Sequence, residues 1–288
     1  MFDIKKCKFL TGNQLKIIAL LSMIIDHIGF CVFYRCLIYW NVKTPINVGK
    51  SELFMVYNLC NKIGRIAFPL YCFLLVEGFK HTKDIRKYAL RLLTMAIISE
   101  PWFDLAFGGQ LIVPSHQNVL FSLFVGLITI YLMSLCDRQF RLIQIKENKD
   151  NKNVSNKGIG IHYYKKYFFV VLEFLIPCAF AILANIIHLD YRHWGILLIA
   201  LLYVVDFYCK NMLLAIGCGS LLFAFYIWRS NTFNTGLIAF IIMLLYSGNK
   251  GVSNKILSRG FYLSYPIHLI ILYFVAKSLG IGSYNLIV

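Results

Sequence analysis

Apolar residues in this chain gather in long blocks, with polar residues confined mostly to the gaps between them. Nine blocks stand out, at approximately 15–33, 63–79, 88–107, 119–135, 168–187, 194–208, 212–228, 235–246 and 261–276. A helix needs roughly 17–25 residues to cross hydrocarbon. The sixth and eighth blocks are short, so the expected count is about nine, within eight to ten. A mixed stretch with an apolar patch at 53–60 precedes the second block. It either lies at the interface or lengthens the second span. Backbone in lipid must satisfy its own hydrogen bonds, and no alternating ten-residue pattern suggests a barrel. The pattern predicts an all-α, polytopic membrane helix bundle forming a single domain over 1–288.

The polar gaps orient the bundle. Lys5, Lys6 and Lys8 precede the first block; Lys80, Lys83, Arg86 and Lys87 separate the second and third. Eight further Lys and Arg residues, from Arg138 to Lys166, separate the fourth and fifth; Lys250, Lys255 and Arg259 precede the last. The gap 108–118 has no Lys or Arg. Basic residues mark cytoplasmic loops, so the chain is expected in the cell membrane with a cytoplasmic N-terminus. The first gap, with Arg35, Lys43, Lys50 and Lys62, fits this alternation poorly. The Asn/Lys-rich tract 146–157 predicts a flexible cytoplasmic loop, near 141–162.

Composition agrees with a membrane protein. The 288 residues are 59% hydrophobic and 15% charged, against roughly 45–50% and 25% in soluble domains. The net charge of +16 then reads as loop retention and contact with anionic lipid. Nucleic acid is not expected as a partner, because no basic stretch is interleaved with aromatics for stacking. Nine cysteines lie mostly within apolar blocks and form no Cys-x-x-Cys pair, so neither zinc nor a disulfide framework is signalled. The polar start runs into a full-length block without a small-residue cleavage site, so no cleavable leader is expected. No internal repeat of the transporter kind is visible.

Chemistry then has to come from the ionisable residues inside the apolar blocks, which are costly there and mark function by default. Asp26 and His27 sit in the middle of the first block. Lys16 precedes His27 by eleven residues, which places the two within roughly 20° of one helix face and about 16 Å apart along it. Arg65 and Glu77 belong to the second block, and His81, one turn after Glu77, is spaced to meet it on one face. Arg91, Glu100 and Asp104 belong to the third, with Pro101 loosening the helix between the two acids. His116, Gln117 and Asn118 precede the fourth, and His268 lies in the last. His27 and Glu100 are each about twelve residues from the cytoplasmic edge, roughly 18 Å deep. Glu100 is thus a candidate orienter for His27, and Lys16 with Arg91 a candidate cationic mouth for a phosphate-bearing ligand. The plainer readings are an anchoring role for Lys16, an interfacial pair for Glu77 and His81, and a helix-packing hydrogen bond for His27.

The segments LKIIALLSMIIDHIGF, GRIAFPLYCFLLVEGFKHT, KYALRLLTMAIISEPWFDLAFG, HQNVLFSL and FYLSYPIHLIIL resemble the TraX family. That family is named for a conjugation protein implicated in acetylating the N-terminus of pilin. It is similar in turn to transmembrane acyltransferases of the acyltransferase-three type, which carry Arg-x10-His in the first span with the His as base. Here the corresponding residues are Lys16 and His27. Lysine keeps the charge but loses the bidentate fork.

The resemblance implies acetyl-CoA as donor substrate, with no metal. The expected function is transfer of an acetyl group to an amine or hydroxyl. The acceptor stays open between a pilin-like peptide terminus, a surface glycan and a small molecule. His27 is the expected base, Glu100 its orienter, and Lys16 and Arg91 the donor-binding cations. Asp26, Arg65, Glu77, His81, His116, Asn118 and His268 are expected around the substrate cavity. The rival expectation is a non-enzymatic transporter or assembly factor using the same acids and histidines as a proton relay.

Overall fold

A computed structural model describes residues 8–38, 48–150, 159–209, 212–228, 233–252 and 254–281. These residues are helical throughout apart from short connections, with two isolated bridges, Leu10 to Tyr246 and Gln117 to Leu189. The helices are α1 (Gly12–Ile28), α2 (Arg35–Ile38), α3 (Lys50–Gly64), α4 (Ala67–His81), α5 (Ile85–Phe103) and α6 (Val119–Asp150). They continue with α7 (Ile159–Ile186), α8 (Arg192–Val204), α9 (Met212–Trp228), α10 (Phe233–Leu244) and α11 (Lys255–Ser278). Each of the nine expected blocks coincides with a helix. Five of the described helices are long and apolar enough to cross a membrane: Gly12–Ile38, Lys50–His81, Val119–Ile145, Tyr167–Ile186 and Ile256–Ser278.

Local chemistry explains the starts. Thr11 caps α1 in a capping box: its hydroxyl accepts from the Gln14 amide, and Gln14 Oε1 accepts from the Thr11 backbone at 2.8 Å. Such a box satisfies two amides that a helix start otherwise leaves orphaned. Asp84 caps α5 through the Lys87 amide at 3.0 Å, and Asn254 caps α11 through Ile256 at 2.8 Å. The patch at 53–60 belongs to α3, which leads through Arg65 and Ile66 into α4, and so lengthens the second span.

Two expected loops are helical where described. Arg35 sits in α2, fully buried, and Lys50 and Lys62 are in α3; Lys43 lies outside the described residues. Of the tract near 141–162, residues 141–150 continue α6 and 159–162 begin α7, and 151–158 lie outside the described residues.

The core joins Leu15, Ala19 and Met23 of α1 to Phe68, Leu70 and Phe73 of α4 and to Leu198, Ile199 and Tyr203 around α8. α1 packs on α3 and α4, while α5 packs on α6 and α11. On α7, by contrast, Phe168, Val171, Phe174, Leu175, Ile182 and Ile186 are all exposed. So large an apolar face suits hydrocarbon rather than water.

Candidate active site

The helices α1, α4, α5, α6 and α11, with the segment after α10, line a part-open cavity of about 510 Å³. Lys16, His81, Arg91 and Lys250 line it near one end, and Met23, Tyr71, Leu123 and Tyr265 near the other. From Gly12 to Met23 is eleven residues of α1, a depth of about 16 Å.

The cationic end is held by backbone contacts across the chain. The segment following α10 clamps onto the start of α1: Gly12 N donates to Asn249 O at 2.8 Å and Asn13 N to Lys250 O at 3.1 Å. Asn13 Nδ2 donates to Val252 O at 2.6 Å, and Ser247 N to Leu10 O at 2.9 Å. Gly248 and Gly251 turn the segment with φ of 81° and 83°, a conformation that costs glycine little. This brings Lys250 beside Lys16. Among the described residues no ion pair involves Lys16, Arg91 or Lys250. Glu77 is instead occupied by Lys80, which also pairs with Asp206 at 2.6 Å, and by the Tyr246 hydroxyl at 3.4 Å.

One turn beyond Met23 stands His27, 9% exposed. Its Nδ1 lies 2.7 Å from His268 Nε2, and His268 Nδ1 lies 2.8 Å from the Ser264 carbonyl. Phe107 meets the His27 ring edge-on, with centroids 4.9 Å apart, and Tyr265 approaches at 6.3 Å.

Two π-helical turns pack together here, Gly29–Tyr34 after α1 and Asp104–Gly108 after α5. Such wide turns recur at functional sites because they displace carbonyls from the regular ladder. The Ala106 carbonyl is met by Arg35 at 2.8 Å and by the Cys31 thiol at 3.4 Å. Arg35 also donates to Ile281 O at 3.3 Å.

The TraX protein family matches residues 11–276, a range that takes in the cavity lining and both histidines. The chain belongs to the TraX family. It is also 30% identical over 131 residues to a protein of Dichelobacter nodosus described as a probable fimbrial assembly protein FimC, serogroup H1. That match covers 41% of this chain and 45% of the relative's length, so less than half of the relative is represented. No solved structure matches.

Within this TraX-family site the expected residues divide into three groups. Lys16, Glu77, His81 and Arg91 line the cavity. His27 and His268 are bonded to each other next to its floor. The remainder form a polar belt beyond it. There Glu100 accepts from the Asn118 amide at 3.1 Å and from its side chain, and Asn118 Nδ2 donates to Ala96 O at 2.9 Å. Asn118 Oδ1 in turn caps α6 through Leu120 at 3.0 Å. Glu100 thus ties α5 to α6, and His268 is the group bonded to His27. His116 stacks on Phe103 and faces Asp190 at 3.9 Å. Asp26 packs against Gly64 and interacts with Arg65. Lys250 and Tyr265, which also line the cavity, were not singled out by sequence. Lys250 looked like one more cytoplasmic charge, and Tyr265 like one more aromatic next to Pro266.

Proposed function

We propose that this TraX-family membrane protein is an acyltransferase that moves an acetyl group from acetyl-CoA to an amine or hydroxyl. The observation that carries this reading is the cavity itself. One end offers three cations, Lys16, Arg91 and Lys250, that have no carboxylate partner among the described residues, and the other lies one helical turn from an imidazole at hydrocarbon depth. The separation suits a donor with phosphates at one end and a thioester at the other. Arginine and lysine side chains bind phosphate through charge-assisted hydrogen bonds.

In this scheme the acceptor nitrogen or oxygen attacks the thioester carbonyl carbon while His27 takes its proton. The C–S bond then breaks, and the imidazolium returns that proton to the departing thiolate. The bundle has about nine spans in the cell membrane, its N-terminus and cationic mouth on the cytoplasmic side, where acetyl-CoA and anionic lipid are found. The name of the Dichelobacter relative favours a pilin-like N-terminus as acceptor, with a surface glycan or small molecule as alternatives.

That name also fits an assembly factor without chemistry. Incubating the purified protein with radiolabelled acetyl-CoA and a pilin N-terminal peptide separates the two. Label is expected on the peptide, and binding of the peptide without transfer of label would assign an assembly role.

A further inference from the structure

The hydrogen bonds around His27 determine where its proton sits. A carbonyl oxygen can only accept, so His268, 2.8 Å from Ser264 O, carries its hydrogen on Nδ1. In the neutral ring the other nitrogen is then an acceptor. His27 Nδ1, 2.7 Å from that acceptor, must be the donor. The remaining nitrogen of His27, Nε2, is left with its lone pair. Histidine in water prefers the opposite tautomer, with hydrogen on Nε2, so the observed partner imposes the arrangement a base needs.

We propose that His268 is the positioning residue of the site, holding His27 in the tautomer that leaves Nε2 free to take a proton. The inference rests on His27 being the base of the proposed transfer. The surroundings favour an uncharged orienter. His27 and His268 are 9% and 6% exposed, and their rings are nearly parallel at 5.0 Å. A carboxylate in that place would be a buried charge, costly at membrane depth. An imidazole supplies the same acceptor without one, and its own orientation is fixed by a backbone carbonyl one turn away. The chain Ser264, His268, His27 also steadies the imidazolium that forms during reaction, because its Nδ1–H already points at an acceptor. Ser264 itself lines the cavity and Tyr265 packs edge-on to His268 at 5.3 Å, so the relay is built into the wall that α11 presents.

The ionisable side chain seen against both rings is that of Tyr265 on α11, edge-on to each. The Tyr265 backbone also hydrogen-bonds His268, as the Ser264 carbonyl does.

The test uses the full-length protein in lipid nanodiscs. Nitrogen-15 NMR of labelled histidine reads the tautomer without any substrate: wild type is expected to show His27 protonated on Nδ1 and bare on Nε2. In His268→Phe, which keeps a ring and loses the acceptor, the proton is expected to move to Nε2, with kcat falling about 100-fold at unchanged KM for acetyl-CoA. His268→Gln, whose amide oxygen can accept from His27, is expected to restore activity to within about tenfold of wild type. Should His268→Phe not fold, the comparison of His268→Gln and His268→Leu replaces it. An Nε2–H tautomer in wild type, or an undiminished kcat in the variants lacking an acceptor, overturns the proposal. A wild type with the expected tautomer but no acetyl transfer overturns the acyltransferase reading instead, so the two failures are distinct.

Discussion

Lys16 and Lys250 come from opposite ends of the chain and face one cavity close enough to repel each other. Lys16 lies over the Phe261 ring at 5.6 Å, and Lys250 is set by the clamp that the 247–252 segment makes on α1. Holding two like charges together without an acid costs free energy unless an anion completes the set. Lys250→Gln and Lys16→Ala are therefore expected each to weaken acetyl-CoA binding about tenfold, the worth of one hydrogen bond to a charged group. Lys16→Arg should bind at least as well as wild type. Titration calorimetry at two salt concentrations checks this, with a shallower salt dependence expected in the charge-removing variants. Unchanged affinity in both would return the lysines to a role in topology.

Close packing of α1 on α3 makes a second prediction. A Cβ built on Gly64 would lie 2.3 Å from the Asp26 side chain, and one on Gly29 2.5 Å from Cys60 Cβ. Neither contact can be met without moving backbone. Gly64→Ala is expected to destabilise the fold by about 1–3 kcal/mol, as overpacking does, and to disturb His27, the next residue after Asp26. Thermal unfolding followed by tryptophan fluorescence checks the first part. A melting temperature equal to wild type's would show that α1 and α3 do not cross this tightly.

Outside the spans, Asp84 supplies a pH dependence. It caps α5, and hydrogen bonds from the Lys87 amide and side chain hold its carboxyl below its ordinary value of 3.8. A depressed carboxyl contributes stability above its unfolded pKa, and that contribution is lost as pH falls through the folded value. Stability should therefore decline in acid below about pH 4. Asp84→Asn, which still caps, should flatten that part of the pH profile. Identical acid limbs in wild type and variant would remove Asp84 from the account.

Much of the fold was legible because hydropathy reports burial in lipid along the chain. What it does not report is rotation about a helix axis or where a helix bends. His27 and Glu100 were matched in depth, yet depth leaves the azimuth open. Glu100 turns to Asn118, and His268 occupies the place beside His27. Arg35 read as a loop charge because the apolar block seemed to end at residue 33. The first helix runs on through a wide turn, and Arg35 meets a carbonyl that the other wide turn displaced. The closeness of Lys250 to Lys16 depends on a loop clamp with no local sequence signature beyond two glycines.

Glu100 separates the two roles a buried acid can have here. Its carboxylate accepts from both the amide and the side chain of Asn118, at the junction of α5 and α6. Glu100→Gln replaces one acceptor oxygen by a donor, so one of those contacts is lost. The expected result is a loss of about 1–3 kcal/mol in stability with kcat kept within about tenfold. Acetyl-transfer assays alongside thermal unfolding check it. A collapse in kcat at full stability would place Glu100 in the chemistry itself.

His27→Ala is the decisive variant. His27 lies next to the cavity floor, one turn past Met23, with its Nδ1 committed to His268. A neutral imidazole keeps one ring nitrogen with a lone pair, which can accept a proton. Its neighbour Asp26 points about 100° away around the helix and packs against Gly64. Removing the imidazole deletes the base and leaves the cations of the mouth untouched. The variant should insert, fold and bind acetyl-CoA like wild type, while turnover falls by about 10²–10⁴. Single-turnover transfer of radiolabelled acetyl, measured beside donor affinity on the same preparation, distinguishes loss of chemistry from loss of binding. Transfer at the wild-type rate would eliminate His27 as the base, and with it the mechanism built on the first helix.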